Sequence, residues 1–200
     1  MPALDYRIAT IEDAPEIAAI YAPYVDESII SFETQAPDGA EIARRIERIG
    51  GHYPWLAATL DGRVVGYAYA CENRSRLAYR WSVDAAVYLD PTAHRRGIGR
   101  GLYERLFALL RELGYVNAFA GISLPNAGSV GLHEAMGFTL IGVYHNVGYK
   151  LGAWRDVGWW QLALADPPPD PPEPMPFASF DADRVARILA GSPLPLAGEG

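Results

Sequence analysis

The sequence predicts an α/β fold: a mixed central β-sheet flanked by helices, followed by a proline-rich tail. Three observations carry this. Apolar residues alternate between a period of two and a helical period through residues 1–165, in the order β-α-α-β-β-β-α-β-α-β-β, which interleaves strands with covering helices. The stretch Ser82–Leu113 passes from strand to helix through a turn dense in glycine and arginine. Residues 166–200 hold nine of the sixteen prolines, a composition that cannot join a ladder and is expected to stay flexible or loosely docked.

Tyr6–Ala9 reads as a short first strand. Thr10 with Asp13 caps a helix whose apolar stripe is Ile17, Ile20, Tyr21 and Tyr24. Ser31–Thr34 is a loop. Pro37-Asp38-Gly39 opens a second helix, with Ile42, Ile46 and Ile49 on one face and Gly50-Gly51 at its end. Trp55–Leu60 and Arg63–Cys71 form a hairpin, because Asp61-Gly62 supplies the positive φ angles of its turn. Glu72–Arg80 is a polar loop bearing Arg74, Arg76 and Arg80. Val83, Ala85, Val87 and Leu89 alternate as one face of a strand that Asp90-Pro91 stops. From Ile98 the step changes: Leu102, Leu106, Leu109, Leu110 and Leu113 share a helical face that Gly114 closes. Val116–Ile122 is a strand, Ala127–Met136 a short helix ended by Gly137, and Phe138–Leu151 and Val157–Ala165 the last strands. Within the tail, Asp181–Leu189 has the pattern of a brief helix.

Composition narrows the function. Half of the residues are hydrophobic and the formal net charge is -7, which supports a sizeable core and argues against general nucleic-acid binding. Cys71 is the one cysteine, so no intrachain disulfide can form and a reducing cytoplasm is the expected compartment. No run approaches the ~18 apolar residues of a membrane span, and the N-terminal segment lacks the basic-then-apolar order of a secretory signal. Four dispersed histidines do not make a metal site. Ser123 and Ser129 have no nucleophile-elbow context.

The strand-to-helix junction is suited to phosphate. The first N–H groups of a helix lack partners within it and attract anions. Gly97 and Gly99 let backbone approach a bulky diphosphate, and Arg95, Arg96 and Arg100 add forked cationic donors. The spacing is neither Gly-x-Gly-x-x-Gly nor Walker-like.

A strand followed by [Gln/Arg]-x-x-Gly-x-Gly at a helix start resembles the acetyl-CoA site of the GNAT-fold N-acetyltransferases. Two registers fit: Arg96–Gly101 satisfies the bare pattern, and counting from Asp90-Pro91 puts His94 at the usual Gln/Arg position. The strand end favours the second. The segment Asn126–Phe138 resembles the family's second cofactor motif, with His133 where most members have Tyr. His there, together with Tyr79–Asp84, Ile122–Asn126 and above all Gly148–Gln161, is similar to the phosphinothricin and methionine sulfoximine acetyltransferase branch. The resemblance covers about residues 5–165 and leaves out the tail.

The resemblance implies a GNAT fold, acetyl-CoA as co-substrate, no metal, and direct acetyl transfer to the α-amino group of a small amino-acid-like substrate. Asp84 stands where the branch has Glu, one methylene longer, so it is expected to take the amine proton through water. His133 is expected to act as base or as thiol acid. Backbone at Val87, Tyr88 and Leu89 would meet the cofactor and supply oxyanion donors. The loop Arg95-Arg96-Gly97-Ile98-Gly99-Arg100 would hold its phosphates and Asn126 its pantetheine end. Arg74 and Arg76, with walls from Phe32, Tyr79 and Trp81, would bind the acceptor, because guanidinium forks suit carboxylate or phosphinate oxygens. Relatives of the branch imply a homodimer with pockets near the subunit boundary, where the aromatic segment Trp154–Trp160 would serve. A different amine acceptor, or a non-catalytic acyl-CoA-binding module, is the alternative.

Overall fold

The computed structural model describes residues 3–191. Seven strands form one sheet: β1 (Leu4–Ile8), β2 (Trp55–Leu60), β3 (Arg63–Glu72), β4 (Ser82–Leu89), β5 (Asn117–Leu124), β6 (Thr139–Lys150) and β7 (Ala153–Ala163). Five helices accompany them: α1 (Ala14–Asp26), α2 (Gly39–Gly50), α3 (Ile98–Glu112), α4 (Ala127–Ala135) and α5 (Ala182–Leu189). The spatial order is β1-β2-β3-β4-β5-β7-β6. Neighbours are antiparallel except β4 and β5, which run parallel.

Each face of the sheet has its own apolar layer. Leu102, Leu106, Leu109 and Leu110 of α3 are fully buried against Leu56, Ala68 and Val83. On the other face Ile17 of α1 and Ile42 and Ile46 of α2 meet Trp55, Ala57 and Tyr67. The alternation of β3 explains the partition: Tyr67 and Tyr69 point to one layer and Ala68 and Ala70 to the other. Asp13 anchors the entry to α1, accepting from the Arg7 guanidinium at 2.6 Å and from the Thr10 N–H at 2.8 Å.

The feature that positions the site is how briefly β4 and β5 stay together. Their ladder holds only Ser82 with Asn117, Val83 with Ala118 and Asp84 with Phe119. Beyond Asp84 the strands part, β4 remaining on β3 through Leu89 and β5 on β7 through Leu124. The β4 edge from Ala85 onward therefore faces a wedge-shaped opening with no ladder partner.

Two expectations are corrected. The last strand starts at Ala153, not Val157, because Leu151 (φ 50°) and Gly152 (φ 74°) close a two-residue hairpin with both centres left-handed. The sequence signals only the glycine of that pair. The tail, expected to be flexible or loosely docked, is packed on the body as far as Gly191. The Met175 N–H donates to Leu113 O at 2.8 Å, and the Ala178 N–H to Gly51 O at 3.0 Å. Phe177, Phe180, Val185 and Leu189 pack on the α3 layer, and Ile188 is buried. Proline content rules out a ladder but not docking through the few free N–H groups between prolines. The expectation for residues 192–200 lies outside the described residues.

Candidate active site

The wedge between β4 and β5 is lined by Ala85, Val87 and Tyr88 on one side and by Ala120, Ile122 and Ser123 on the other, with Asn126, Ser129, His133 and Tyr103 around it. It adjoins a cavity of about 420 Å³ bounded by Ile30, Phe32, Tyr88, Gly121, Tyr144, Val157 and Trp159. The two share Ile30, Tyr88, Gly121 and Ser123.

The turn after β4 follows the sequence reading in outline. Asp90 accepts from the Thr92 N–H at 2.8 Å and ends the strand. Arg95 (φ 59°) and Gly97 (φ 78°) are left-handed, and Gly97 caps α3. Backbone wound in this way is used for anion-binding nests. Arg95, Arg96 and Arg100 are exposed, and only Arg100 has a carboxylate near it among the described residues, Glu104 at 4.0 Å. Gly99 serves packing rather than backbone approach: it is buried, and a Cβ there would sit 3.3 Å from Leu132 and 3.5 Å from Leu89. Ile98 is buried too, so both residues offer a ligand only their amides. Tyr24 ties the turn down. Its hydroxyl donates to Leu89 O at 2.6 Å and lies 3.0 Å from His94 Nε2, which makes His94 a strut between the turn and α1.

His133 is buried in α4 with Nδ1 2.8 Å from Ser129 O. A carbonyl only accepts, so Nδ1 carries the proton and Nε2 is the basic nitrogen. Tyr103 O–H donates to that Nε2 at 3.0 Å. Burial holds the imidazole pKa below its ordinary value, the Ser129 carbonyl partly opposing. The neutral tautomer with a basic Nε2 follows, so of the two expected roles the geometry favours base over acid. Tyr103, a core position on α3 by its spacing, is the partner of His133 that periodicity could not distinguish from packing.

Asp84 sits on the last β4–β5 rung. Burial raises its carboxyl pKa, against the Asn73 amide, which donates to Oδ1 at 2.5 Å, and the Arg74 charge. A carboxylate so held is a better proton acceptor than one in water. Asn126 lines the wedge and is the N-cap of α4, accepting from the Ser129 N–H at 3.1 Å.

The acceptor residues separate. Phe32 lines the cavity and is fixed from behind by β6: a Cβ on Gly148 would lie 2.1 Å from the Phe32 ring. Buried Lys150 donates to Val25 O at 2.6 Å and Glu33 O at 2.9 Å, and also to Ser31 O, clamping the loop that carries Phe32. Sequence reasoning missed Lys150 because a lone lysine in a strand usually faces solvent. Arg74 stacks over Trp159 at 5.5 Å and so reaches the cavity rim. Arg76 and Tyr79 stay outside the lining, on the exposed turn Leu77–Tyr79 and its cap. Trp81 is corrected: its indole N–H donates to Pro172 O at 2.7 Å, and Arg80 covers its ring and pairs with Glu173. The docked tail claims it. Leu89 packs its side chain on Gly66 and Gly99 rather than into the wedge. No cluster of metal-ligating side chains occurs among the described residues, and no helix among them is long and apolar enough to cross a membrane.

Comparison with known proteins agrees with this geometry. Residues 6–159 match the model of the acetyltransferase (GNAT) domain. A phosphinothricin N-acetyltransferase of Streptomyces viridochromogenes is 38% identical over 86% of this chain and 94% of its own. An L-methionine sulfoximine/L-methionine sulfone acetyltransferase of Pseudomonas aeruginosa is 33% identical over 79% and 93%. Among solved structures, a GNAT superfamily phosphinothricin acetyltransferase from Sinorhizobium meliloti in complex with acetyl-CoA superposes with a TM-score of 0.81 and 34% identity, covering 90% of this chain and 97% of that one.

Proposed function

The chain belongs to the GNAT acetyltransferase family and is an acyltransferase, and from that premise we propose that it acetylates the α-amino group of a small amino acid bearing a second, tetrahedral polar group. Phosphinothricin, methionine sulfoximine and methionine sulfone are the acceptors of this kind. Acetyl-CoA is the donor and supplies the acyl group activated as a thioester. The observation that carries the reading is the wedge beyond Asp84, with an unpaired strand edge on one side and His133 with Tyr103 on the other. The residues fit that donor. The wedge is narrow, and among the described residues its lining carries no charged side chain that would compete.

In this reading the exposed guanidiniums and turn amides hold the phosphates, while Asn126 and the edge amides near Val87 and Tyr88 hold the pantetheine and the acyl oxygen. Asp84 takes the proton of the incoming ammonium through water, which frees a lone pair for attack on the acyl carbon. A second proton passes to the basic Nε2 of His133 through the Tyr103 hydroxyl that already donates to it, as the tetrahedral carbon collapses and the thiolate departs. Arg74, Phe32 and the Trp159 wall orient the acceptor. The open β6–β7 face, with Ile141, Tyr144, Tyr149 and Trp154 exposed, supports a homodimer through this hairpin, and the free thiol of Cys71 suits the cytoplasm.

The test is thiol release from acetyl-CoA across a panel of amines, with the product identified by mass spectrometry. Acetylated methionine sulfoximine or phosphinothricin is the expected product. Turnover confined to polyamines, aminoglycosides or protein N-termini would reassign the acceptor.

A further inference from the structure

Asp84 is the one carboxylate of β4, and it shares a strand face with Tyr88, which lines the acceptor cavity. Its neighbours on β3 decide how it is held. Cys71 pairs with Asp84 across the antiparallel ladder, and β3 ends one residue later at Glu72, opposite Val83. Side chains two apart along a strand emerge on the same face. Asn73, the first residue past the strand, therefore comes up on the Asp84 side of the sheet. It occupies the diagonal position from which a side chain can reach a cross-strand neighbour.

The Asn73 amide Nδ2 donates to Asp84 Oδ1 at 2.5 Å. An ionised carboxylate only accepts, so the NH₂ end of that amide must face it. Among the described residues this is the one hydrogen bond to the Asp84 carboxylate, and it engages Oδ1 while Oδ2 has none. Asn73 is braced in turn. Its backbone carbonyl accepts from Arg74 Nη1 at 2.8 Å, and the Arg74 guanidinium lies over the ring of Trp159, a wall of the acceptor cavity. The terminal torsion of an aspartate is a broad, two-fold rotor, so a bond to one oxygen fixes the plane of the group and with it the aim of the other oxygen. Aim matters here because Asp84 is one methylene shorter than the Glu of the branch and must reach the amine through water. The same bond favours the ionised form against the opposing effect of burial.

We propose that Asn73 is a positioning residue for acetyl transfer: its amide fixes the Asp84 carboxylate through Oδ1 and presents Oδ2 to the water that takes the acceptor's proton. The proton passes from the ammonium to that water and from the water to Oδ2, so the water is restored and the amine keeps the lone pair with which it attacks. This deepens the proposed function and rests on Asp84 as the proton acceptor. Few other groups that titrate or carry charge face Asp84. β3 presents Cys71, whose thiol burial pushes up to about 12, so that it stays neutral. The loop presents Arg74, which favours the carboxylate, and β5 presents Phe119. Glu72 and His52 line a cavity with Cys71 and bond to neither oxygen of Asp84.

The test follows thiol release from acetyl-CoA, with the best acceptor and against pH, in the full chain and in Asn73→Leu, Asn73→Asp, Asp84→Ala and the double variant that combines Asn73→Leu with Asp84→Ala. Leucine keeps the bulk and loses the donor; aspartate keeps the shape and adds a like charge. The acid limb of kcat/KM for the acceptor, which reports the free enzyme's base, is expected to move to higher pH in Asn73→Leu and further in Asn73→Asp. The rate on that limb should fall about tenfold in Asn73→Leu, the scale of a hydrogen bond to a charged group, with the KM for acetyl-CoA unchanged. In the Asp84→Ala background Asn73→Leu is expected to change the rate by no more than about twofold, because its effect runs through the missing carboxylate. An acid limb that stays in place in both Asn73 variants would overturn the proposal whatever happens to Tm, since a merely structural role lowers Tm without moving the limb. A loss that multiplies in full on top of Asp84→Ala would overturn it as well. Full activity in Asp84→Ala would remove the base, and this proposal with it, while leaving the acetyltransferase reading intact; a wild-type chain that acetylates no amine would remove both.

Discussion

Asp84 answers two opposed demands. Burial raises its carboxyl pKa above the ordinary value despite Asn73 and Arg74. Between the unfolded and folded titrations the folded chain therefore binds more protons, and stability falls as pH rises through that window. An ionised Asp84 at neutral pH is thus a cost to the fold and an asset to proton abstraction. Asp84→Asn keeps an oxygen for the Asn73 amide and removes the charge. It is expected to raise Tm at neutral pH, with the gain vanishing at pH below both titrations, and to lower kcat by about 10²-fold or more; thermal scans at two pH values and steady-state rates check both. Wild-type rate should climb with pH through the raised Asp84 titration. His133 titrates below its usual value and is neutral at neutral pH. His133→Gln is expected to lower kcat by about 10²-fold or more with the KM for acetyl-CoA little changed, which a stopped-time thiol assay resolves.

Among the elements, the β6–β7 hairpin does the most for the site while contributing no reacting group. Gly148 lets the Phe32 ring lie against the strand, and Lys150 gathers two carbonyls of the loop around it and one from the last turn of α1. Gly148→Ala is expected to displace Phe32 and raise the acceptor KM about tenfold, the cost of roughly 1.4 kcal/mol in acceptor binding. The acetyl-CoA KM should stay as it was, and the split between the two constants is the measurement. The strands and helices themselves were legible because each carries its own period and punctuation: Asp61-Gly62 between β2 and β3, Asp90-Pro91 after β4, Gly114 after α3. Asp84, Asn126 and His133 could be singled out because they sit on motif positions, and the structure sets Asn126 and His133 around the wedge and Asp84 on its last rung. The partners that make them useful could not. Tyr103 meets His133 across 30 residues, Lys150 meets the Phe32 loop across more than 100, and Trp81 is taken by a proline carbonyl 91 residues on. Local pattern encodes the direction of a side chain, not which distant backbone oxygen it will meet.

At the level of the whole molecule, the tail closes the α3 side of the sheet. Ile188 is 4% exposed under α5, Arg105 donates to Leu189 O at 2.6 Å, and Arg184 pairs with Glu112. Ile188→Ala is expected to cost about 2–4 kcal/mol and to lower Tm with kcat retained, as denaturant titration and turnover at 25 °C would show. The tail thus belongs to the fold's stability, whereas the wedge is where the fold is left incomplete. Three rungs join the four-stranded and three-stranded halves of the sheet; past them, the β4 amides that point toward β5 have only solvent to bond. Those hydrogens should trade with deuterium quickly in the apoprotein and slowly once a thioester tail lies along them, so the unzipped margin of Ala85–Leu89 is a built-in gauge of donor occupancy, readable by mass without any label.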